Sequence, residues 1–337
     1  MSNLQFREIA DELKKRKFRP IYFLCGDEPY FIDRITAYLQ ENVLSDAEKS
    51  FNLTQLYGRD TNAEAIMTTA RKFPMMAEFQ VVIVKEAQYI SDLENLAIYA
   101  EHPLKSTILV INYKNKTLDK RRKLYNTIQR NNGIVFESKK LYEAKLPGWI
   151  TGYLKGKGFS IDMNACMMLV EFLGSDLGKI SNELEKLIIT LPEREKVITG
   201  ADVERNIGIS KDYNNFELNK ALGSKDVLKA NRIINYFGKN QKDHHITVTL
   251  SMLYFLFSKT LVFHLIENKS RKNAASVLKV NPYFVSDYEM AARNYSKRKV
   301  VDIISLLREY DLKSKGFGNV QAGAGDLLKE LVYKILH

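Results

Sequence analysis

The stretch IYFLCGDEPYFIDRI, residues 21–35, runs from an apolar strand through Gly26 into a helical pattern, which is the order of a phosphate-binding loop. Such a loop reads G-x-x-x-x-G-K-[ST], because backbone N–H groups cradle the phosphates, the lysine neutralises them and the hydroxyl holds Mg²⁺. Counted from Gly26, the second glycine falls on Phe31, the lysine on Ile32 and the hydroxyl on Asp33. The segment therefore predicts either an ordinary strand-to-helix turn of an α/β sheet or a degenerate nucleotide-binding fold.

Other residue patterns that carry catalysis are missing from the sequence. The five histidines form no H-x-x-x-H or H-E-x-x-H pair, and no G-x-S-x-G motif presents a nucleophilic serine. Cys25 and Cys166 lie far apart, one in the first strand and one in an apolar helical stretch, so they indicate neither a disulfide framework nor a zinc site. We predict no metal, no cofactor and no enzyme activity of the isolated chain.

The elements that must position the turn at Gly26 are strands that alternate with helices. The first 140 residues carry five strand-like segments separated by helical patterns, at residues 21–25, 52–57, 80–86, 107–112 and 133–138. This spacing predicts a parallel, doubly wound α/β sheet. The runs VVIV and ILVI agree, because parallel strands are buried on both faces.

Beyond residue 140 the strand pattern stops and helical patterns follow one another to the end of the sequence. We predict three domains: an α/β domain over residues 1–140, a small helical domain over 141–210 and a helical domain over 211–337. In the small domain, Ser175 is expected to cap a helix. That helix is predicted to bury the apolar stripe of Ile180, Leu184, Leu187 and Ile188.

The most apolar run, residues 250–266, is interrupted by Lys259 and is too short to span a bilayer comfortably. We interpret it as a buried helix. The N-terminal residues form an amphipathic, charged helical pattern without the continuous apolar stretch of a signal peptide. A cytoplasmic protein without a membrane partner is therefore predicted.

Positive charge is concentrated in the last third of the chain. The formal net charge is +11, and residues 211–337 hold 21 Lys/Arg against 12 Asp/Glu, a net +9, whereas residues 1–210 are close to neutral. A basic domain on a neutral body indicates a polyanionic partner, most often nucleic acid. A lysine-rich solvated surface would have the same composition.

In its order of domains the chain resembles clamp-loader subunits of the AAA+ class, and within that class the delta family of the bacterial DNA polymerase III clamp loader. The resemblance runs over nearly the whole length. It is carried by the order and spacing of the segments YFLCGDEPYFI, FPMMAEFQVVIV, KLPGWI, GSDLGKISNELEKL, NNFELNKAL and YDLKSKG. The resemblance implies that the three predicted domains are an AAA+-like domain, a small lid domain and a helical collar that joins other subunits.

The resemblance also implies where an ATP-using subunit would differ from this chain. Such a subunit has acidic residues after its third strand, where this chain has Lys85 followed by Glu86. It has an arginine finger where Lys139 stands, and a sensing arginine where Leu177 stands. Because lysine does not replace arginine in bidentate phosphate contact, these positions indicate a nucleotide site that has lost its function.

The segment DTNAEAIMTTARKFPMMAEF predicts a helix followed by an apolar tip. Thr61 and Glu64 have the spacing of a capping box, and Ile66, Ala70 and Phe73 form a stripe that is expected to pack on the sheet.

Pro74 is expected to end this helix, which would place Met75 and Met76 at the tip. Exposed methionines are adaptable apolar side chains suited to a pocket on a partner. The resemblance implies that Phe73, Pro74, Met75 and Met76 contact the sliding clamp, with the two methionines in the apolar positions of the contact. The alternative is that both methionines fold back into the core.

The segment DLKSKGFGNVQ places Phe317 between two glycines, just after Lys313 and Lys315. An aromatic side chain on a basic loop can stack on an exposed base, so these three residues are candidates for DNA binding. The alternative is a turn between helices with Phe317 tucked beneath it. The basic runs at residues 14–19 and 114–123 are interpreted as solvated faces.

The resemblance implies a non-catalytic subunit that binds and opens the sliding clamp for loading onto primed DNA, within a hetero-oligomer that includes delta prime and gamma or tau subunits. ATP turnover would then come from those other subunits, as part of a DNA polymerase holoenzyme. Two alternatives are an AAA+ ATPase or helicase-like enzyme with an aberrant phosphate loop, and a free-standing DNA-binding protein.

Overall fold

The computed structural model describes residues 2–192, 195–208, 210, 212–318 and 322–337. The chain divides into two compact units, Met1–Leu141 and Tyr142–His337. The further division of the second unit near residue 210 stays a prediction.

The first unit is built on a five-stranded parallel sheet in the order β2-β3-β4-β1-β5. The strands are β1 Ile21–Gly26, β2 Leu53–Tyr57, β3 Gln80–Lys85, β4 Thr107–Lys114 and β5 Ile134–Ser138. Tyr22 of β1 is in register with Val110 of β4 on one side and with Ile134 of β5 on the other. All five strands predicted from the sequence are present, and the α/β fold class is confirmed.

Burial on both faces explains why the apolar runs of the sequence marked these strands so well. Val81, Val82, Ile83 and Val84 are all 0% exposed, so consecutive side chains of β3 are buried on opposite faces of the sheet. The helices that cover the sheet and connect its strands are α1 Ser2–Lys14, α2 Pro29–Asn42, α3 Asp46–Asn52, α4 Ala63–Ala70, α5 Ala97–Glu101 and α6 Lys123–Arg130.

The second unit is mostly helical. Its helices are α7 Leu146–Lys155, α8 Met163–Leu173, α9 Leu177–Thr190, α10 Gly200–Ile207, α11 Asn215–Gly223, α12 Val227–Lys239, α13 Ile246–Leu265, α14 Arg271–Leu278, α15 Val285–Asn294, α16 Lys297–Ser314 and α17 Ala324–Leu336. A large apolar cluster of this unit joins residues of α11, α12, α13, α16 and α17, among them Phe237, Phe257 and Leu331.

Two local predictions for the second unit were wrong. No strand was predicted beyond residue 140, yet β6 Ser160–Ile161 and β7 Val197–Ile198 form a parallel pair that is too short for a periodic pattern. The cap of α9 is Asp176 and not Ser175, because the Asp176 carboxylate accepts the N–H of Lys179 at 3.0 Å. The stripe of α9 is confirmed at Ile180, Leu184 and Leu187, which are 0% exposed, whereas Ile188 is half-buried.

Helix α13 is buried on one face only, although the sequence predicted a buried helix. Leu253 and Phe257 are 0% exposed, whereas Tyr254 and Phe255 are 50% and 51% exposed. Among the described residues this is the one helix long and apolar enough to cross a membrane, a test that core helices of soluble proteins also pass.

Candidate functional site

Helix α4 begins and ends at residues other than those predicted. Its N-cap is Asn62, whose side chain accepts the N–H of Ala65 at 2.9 Å, so the predicted capping box of Thr61 and Glu64 does not form. The helix ends at Ala70, well before Pro74, so the proline does not terminate it.

The early end of α4 changes the place of Phe73. Ile66 and Ala70 are 0% exposed and pack in the core of the first unit, as predicted. Phe73 is 77% exposed, because the chain has left helical geometry and the 3.6-residue periodicity no longer points this side chain at the sheet. The prediction that Phe73 is buried in the stripe was wrong. Its exposure is compatible with the predicted contact to a partner.

Residues 71–79 form a connection with three large exposed apolar side chains, which we call the apolar loop. Besides Phe73, Met75 is 62% exposed and Met76 is 101% exposed, while Pro74 is half-buried. The alternative in which the two methionines fold back into the core is therefore wrong. Large apolar side chains grouped in this way on a surface are typical of a protein-binding site.

The backbone of the apolar loop is fixed by buried polar side chains. At its centre, the Asn52 side chain accepts the Met75 N–H at 2.7 Å and donates to the Met75 carbonyl at 2.9 Å. Immediately after it, Met76 has a φ of 51°, in the left-handed region that residues other than glycine, asparagine and aspartate seldom adopt. The loop thus has a defined backbone although its apolar side chains face solvent.

At the start of the apolar loop, the end of α4 is tied to the sheet. The Gln80 side-chain amide donates to the Ala70 carbonyl at 3.2 Å and to Thr107 Oγ1 at 2.7 Å. Thr107 Oγ1 in turn donates to the Ala70 carbonyl at 2.9 Å, and the Lys72 carbonyl is also within hydrogen-bond reach of Gln80. Because Gln80 and Thr107 are buried in β3 and β4, the base of the loop has little freedom to move.

The segment of residues 26–33, which we call the phosphate-type turn, runs from the last residue of β1 into the start of α2. Gly26 has a φ of 117°, and a Cβ placed there would lie 2.0 Å from the Ser138 carbonyl oxygen. Its N–H donates to the Lys116 carbonyl at 2.8 Å. Only glycine fits this position, because β5 approaches too closely for any side chain.

The N-terminus of α2 is capped by a side chain of the same unit. The Glu28 carboxylate caps the helix by accepting the Tyr30 N–H at 3.2 Å, and Glu28 is 4% exposed. Ser138 Oγ donates to the Glu28 carbonyl at 2.7 Å and fixes the cap against β5. Since a helix N-terminus attracts anions, the Glu28 carboxylate is favourably placed at the start of α2.

The remaining positions of the phosphate-type turn have structural partners. Phe31 and Ile32, which stand at the second glycine and the lysine of the motif, are 1% and 0% exposed in the core. Asp33, at the metal-binding hydroxyl position, forms a 2.6 Å ion pair with Lys114. Lys85 lies with its Nζ 5.8 Å from the centroid of the Tyr57 ring.

Residues 22–139 of this chain match the family model described as "DNA polymerase III, delta subunit". A DNA polymerase III subunit delta from Bacillus subtilis (strain 168) is 26% identical over 319 residues, which are 91% of this chain and 91% of that protein. The resemblance to the delta subunit of DNA polymerase III is confirmed.

A solved structure supports the same fold along the chain. The Bacillus subtilis DNA clamp loader delta protein aligns over 98% of this chain and 99% of its own, with 24% identity and a TM-score of 0.53. A gamma subunit-related protein from Thermotoga maritima aligns more distantly, with 14% identity and a TM-score of 0.31 over 91% of this chain and 98% of its own.

Two further positions at which this chain differs from ATP-using loader subunits, Leu177 and Lys139, lie far from the phosphate-type turn in the sequence. Leu177 belongs to the second unit, where it is the first residue of α9 and 0% exposed. Lys139 follows β5 in the first unit, with its Nζ 3.3 Å from a Glu137 carboxylate oxygen. A buried leucine and a paired lysine are both unsuited to bidentate contact with a nucleotide phosphate.

The candidate DNA contact predicted from the aromatic and basic residues lies at the end of α16, at residues 313–318, which we call the basic turn. Phe317 is 68% exposed, so the alternative in which it tucks beneath the turn is wrong. Lys313 pairs with Glu309 at 2.7 Å, and Lys315 pairs with Asp311 at 2.7 Å. The basic turn therefore carries less uncompensated positive charge than its sequence indicates.

The sequence reasoning missed the residues that hold the candidate site together. Asn52, Gln80 and Glu28 are all buried polar residues next to apolar runs. A polar residue beside a strand pattern is a signal that could have marked them, because a buried polar group needs a hydrogen-bond partner. The sequence does not say which partner that is.

Proposed function

We propose that the chain is a non-catalytic clamp-loader subunit of DNA replication, which binds and opens a sliding clamp through its apolar loop. The observation that carries this proposal is the contrast within the loop: Phe73, Met75 and Met76 are exposed, yet the backbone between them is fixed by buried side chains. The similarity to delta subunits supports the same class.

Burial of the loop side chains would supply the binding energy. Fully burying a methionine side chain is worth about 1.5–3 kcal/mol, and the flexible thioether adapts to the shape of a pocket. Because the loop backbone is already ordered, little conformational freedom remains to be lost on binding. A wedge of this kind suits the separation of two apolar surfaces in a ring-shaped partner.

The chain does not use ATP in this proposal. Glu28 takes the place of a phosphate at the start of α2, and Ile32 provides no charge to neutralise one. The Asp33 carboxylate, at the hydroxyl position of the motif, would also repel the phosphates of a nucleotide. The nucleotide fold serves here as a scaffold for the loop.

The second unit would join the other loader subunits, in a hetero-oligomer with delta prime and gamma or tau in the cytoplasm. The exposed face of α13 supports this, since Tyr254 and Phe255 are large apolar side chains on one side of a long helix. Primed DNA would contact the basic turn, with Phe317 available to stack on a base and Lys313 and Lys315 near the phosphates.

A titration of the full chain with its cognate sliding clamp tests the proposal against the ATPase alternative. We expect saturable clamp binding with the same Kd in the presence and absence of Mg²⁺ and ATP, and no ATP hydrolysis. A clamp affinity that depends on ATP, or ATP binding that is lost when Asp33 is changed, would contradict it.

The alternative of a free-standing DNA-binding protein makes a different prediction. It requires tight binding of primed DNA by the chain alone, and the strength of that binding would fall steeply with salt because phosphate contacts release counterions. In our proposal the isolated chain binds such DNA weakly, and tight binding appears only with the other subunits and the clamp. Measuring DNA affinity with and without those partners separates the two.

A further inference from the structure

Asn52, the last residue of α3, holds the centre of the apolar loop from a distant position in the sequence. It is 3% exposed, and its amide meets both backbone polar groups of Met75, accepting at 2.7 Å and donating at 2.9 Å. A third bond runs from its Nδ2 to the Glu48 carbonyl at 3.1 Å, inside its own helix. The pairing is complementary in one orientation of the amide only, because a flipped amide would face donor to donor.

The two bonds determine where the loop side chains point. They fix the peptide groups on both sides of the Met75 Cα, and the next residue, Met76, is in the left-handed region with a φ of 51°. A methionine keeps that conformation only where its surroundings impose it. Release of Asn52 would let the backbone of Met75 and Met76 relax into other conformations.

Asn52 itself is too buried to touch a partner, so any effect that it has on binding passes through the loop. Its neighbours Met75 and Met76 are 62% and 101% exposed, in contrast to its own 3%. A side chain of this kind changes binding by changing the fraction of molecules whose loop is already in the binding conformation. The apparent Kd rises in inverse proportion to that fraction.

We propose that Asn52 is a positioning residue that pre-orders the apolar loop for the sliding clamp; this rests on the proposed function above. The residue makes no contact with the clamp and contributes by sparing the complex the cost of ordering the loop. A merely structural role would instead stabilise the whole unit without any particular effect on binding.

The chain offers a matched control in Asn131. Its Nδ2 donates to the Thr127 carbonyl four residues earlier at 3.2 Å and to the distant Ala100 carbonyl at 2.7 Å. Asn52 has the same pair of donor bonds, one to the carbonyl four residues earlier and one to a distant backbone carbonyl, and in addition accepts the Met75 N–H. Asn131→Ala therefore removes comparable bonds from the same unit at a place away from the loop.

The first measurement compares clamp binding by the full-length Asn52→Ala and Asn131→Ala variants. We expect Asn52→Ala to raise the Kd by about 5- to 30-fold, mainly through slower association, because fewer molecules present an ordered loop. Asn131→Ala should keep the wild-type Kd. Equal affinity in the two variants would overturn the proposal.

The second measurement repeats Asn52→Ala in a chain that already carries Met75→Ala and Met76→Ala. If Asn52 acts only through these side chains, its substitution should have little further effect in that background. An effect of the same size as in the wild type would overturn the positioning role. If the two methionine substitutions alone leave clamp binding intact, the proposed function fails; if they weaken it and Asn52→Ala does not, only the role of Asn52 fails.

Amide hydrogen exchange provides a test that needs no folded variant. In the wild-type chain without clamp, the Met75 amide should exchange more slowly than the Met76 amide, for which no hydrogen bond to Asn52 exists. Rapid exchange at Met75 would overturn the proposal even if Asn52→Ala does not fold. In a folded Asn52→Ala variant, addition of clamp should restore the lost protection.

Discussion

The apolar loop and the phosphate-type turn lie in the same unit, and buried polar groups serve opposite purposes in them. In the loop, Asn52 and Gln80 bind backbone groups, which leaves Met75 and Met76 facing solvent on a fixed frame. In the phosphate-type turn, the Glu28 carboxylate accepts the Tyr30 N–H and caps the start of α2. The loop therefore has an ordered backbone and exposed side chains, whereas in the turn the polar groups of the chain bind one another.

A glycine that the packing of a sheet requires is weak evidence for phosphate binding. Gly26 has a φ of 117° and approaches Ser138 closely, a geometry that the packing of β1 against β5 requires whether or not a phosphate binds. The loop has no recognisable motif, yet its exposure and its anchors indicate a binding surface. Function in this unit is therefore argued from what the side chains face.

The largest effect on the free energy of unfolding is expected at Gly26, whose role is expected to be purely structural. Gly26→Ala should lower the free energy of unfolding by more than about 4 kcal/mol, because a Cβ would lie 2.0 Å from a backbone oxygen and the φ is positive. Urea unfolding measures this. Gly148→Ala is the control, since a Cβ there meets nothing within 4 Å. Comparable stability of the two variants would show that the turn is not held as described.

A second prediction separates the core side of α4 from the apolar loop. Ile66→Ala should lower the free energy of unfolding by about 2–5 kcal/mol, because Ile66 is 0% exposed. Phe73→Ala should change it by less than about 0.5 kcal/mol, because Phe73 is 77% exposed, and should weaken clamp binding instead. Thermal or urea unfolding of the two variants measures both changes. A fall of about 2–5 kcal/mol in the free energy of unfolding for Phe73→Ala would mean that this ring is buried.

A third prediction concerns the cap that replaces the phosphate. Glu28→Ala should lower the free energy of unfolding by about 0.5–2 kcal/mol, the usual cost of a lost N-cap. It should create no ATP binding, because Ile32 and Asp33 remain. Glu64→Ala, in the exposed first turn of α4, is the control and should cost less. Isothermal titration with Mg²⁺ and ATP that showed binding by the Glu28 variant would indicate a latent nucleotide site.

The smallest effect is expected at the basic turn. Phe317→Ala should change the free energy of unfolding by less than about 0.5 kcal/mol, because the ring is 68% exposed. It should reduce clamp loading at primed DNA by the assembled loader more than it reduces clamp binding by the chain. An equal loss in both assays would place Phe317 in the fold instead of at the DNA.

The strands could be predicted from the sequence because strands buried on both faces consist of consecutive apolar residues. VVIV and ILVI located β3 and β4 to within a few residues, and the exposed tip at Met75 and Met76 was also found. Phe73 was placed in the core since periodicity does not reveal where a helix ends. Here the end of α4 is tied by Gln80 and Thr107, and those tertiary bonds have no local signature.

Long-range pairing also explains the remaining differences. Asn52 and Met75 are 23 residues apart, and nothing in either segment indicates the other. The basic turn was predicted from two lysines, but Glu309 and Asp311 one helical turn earlier pair with them. Charge counted along a sequence therefore overstates the field at a site when opposite charges share the same helix face.

The most direct test of the account is a pair of measurements on the Met75→Ala, Met76→Ala double variant, with Met290→Ala, an exposed methionine of α15, as control. Each lost side chain is worth about 1.5–3 kcal/mol if a partner buries it, so clamp affinity should fall by roughly two to four orders of magnitude. The melting temperature should stay at the wild-type value, and Met290→Ala should change neither quantity. A double variant that melts at a much lower temperature, or that binds the clamp as tightly as the wild type, would contradict the claim that the apolar loop is an ordered clamp-binding surface.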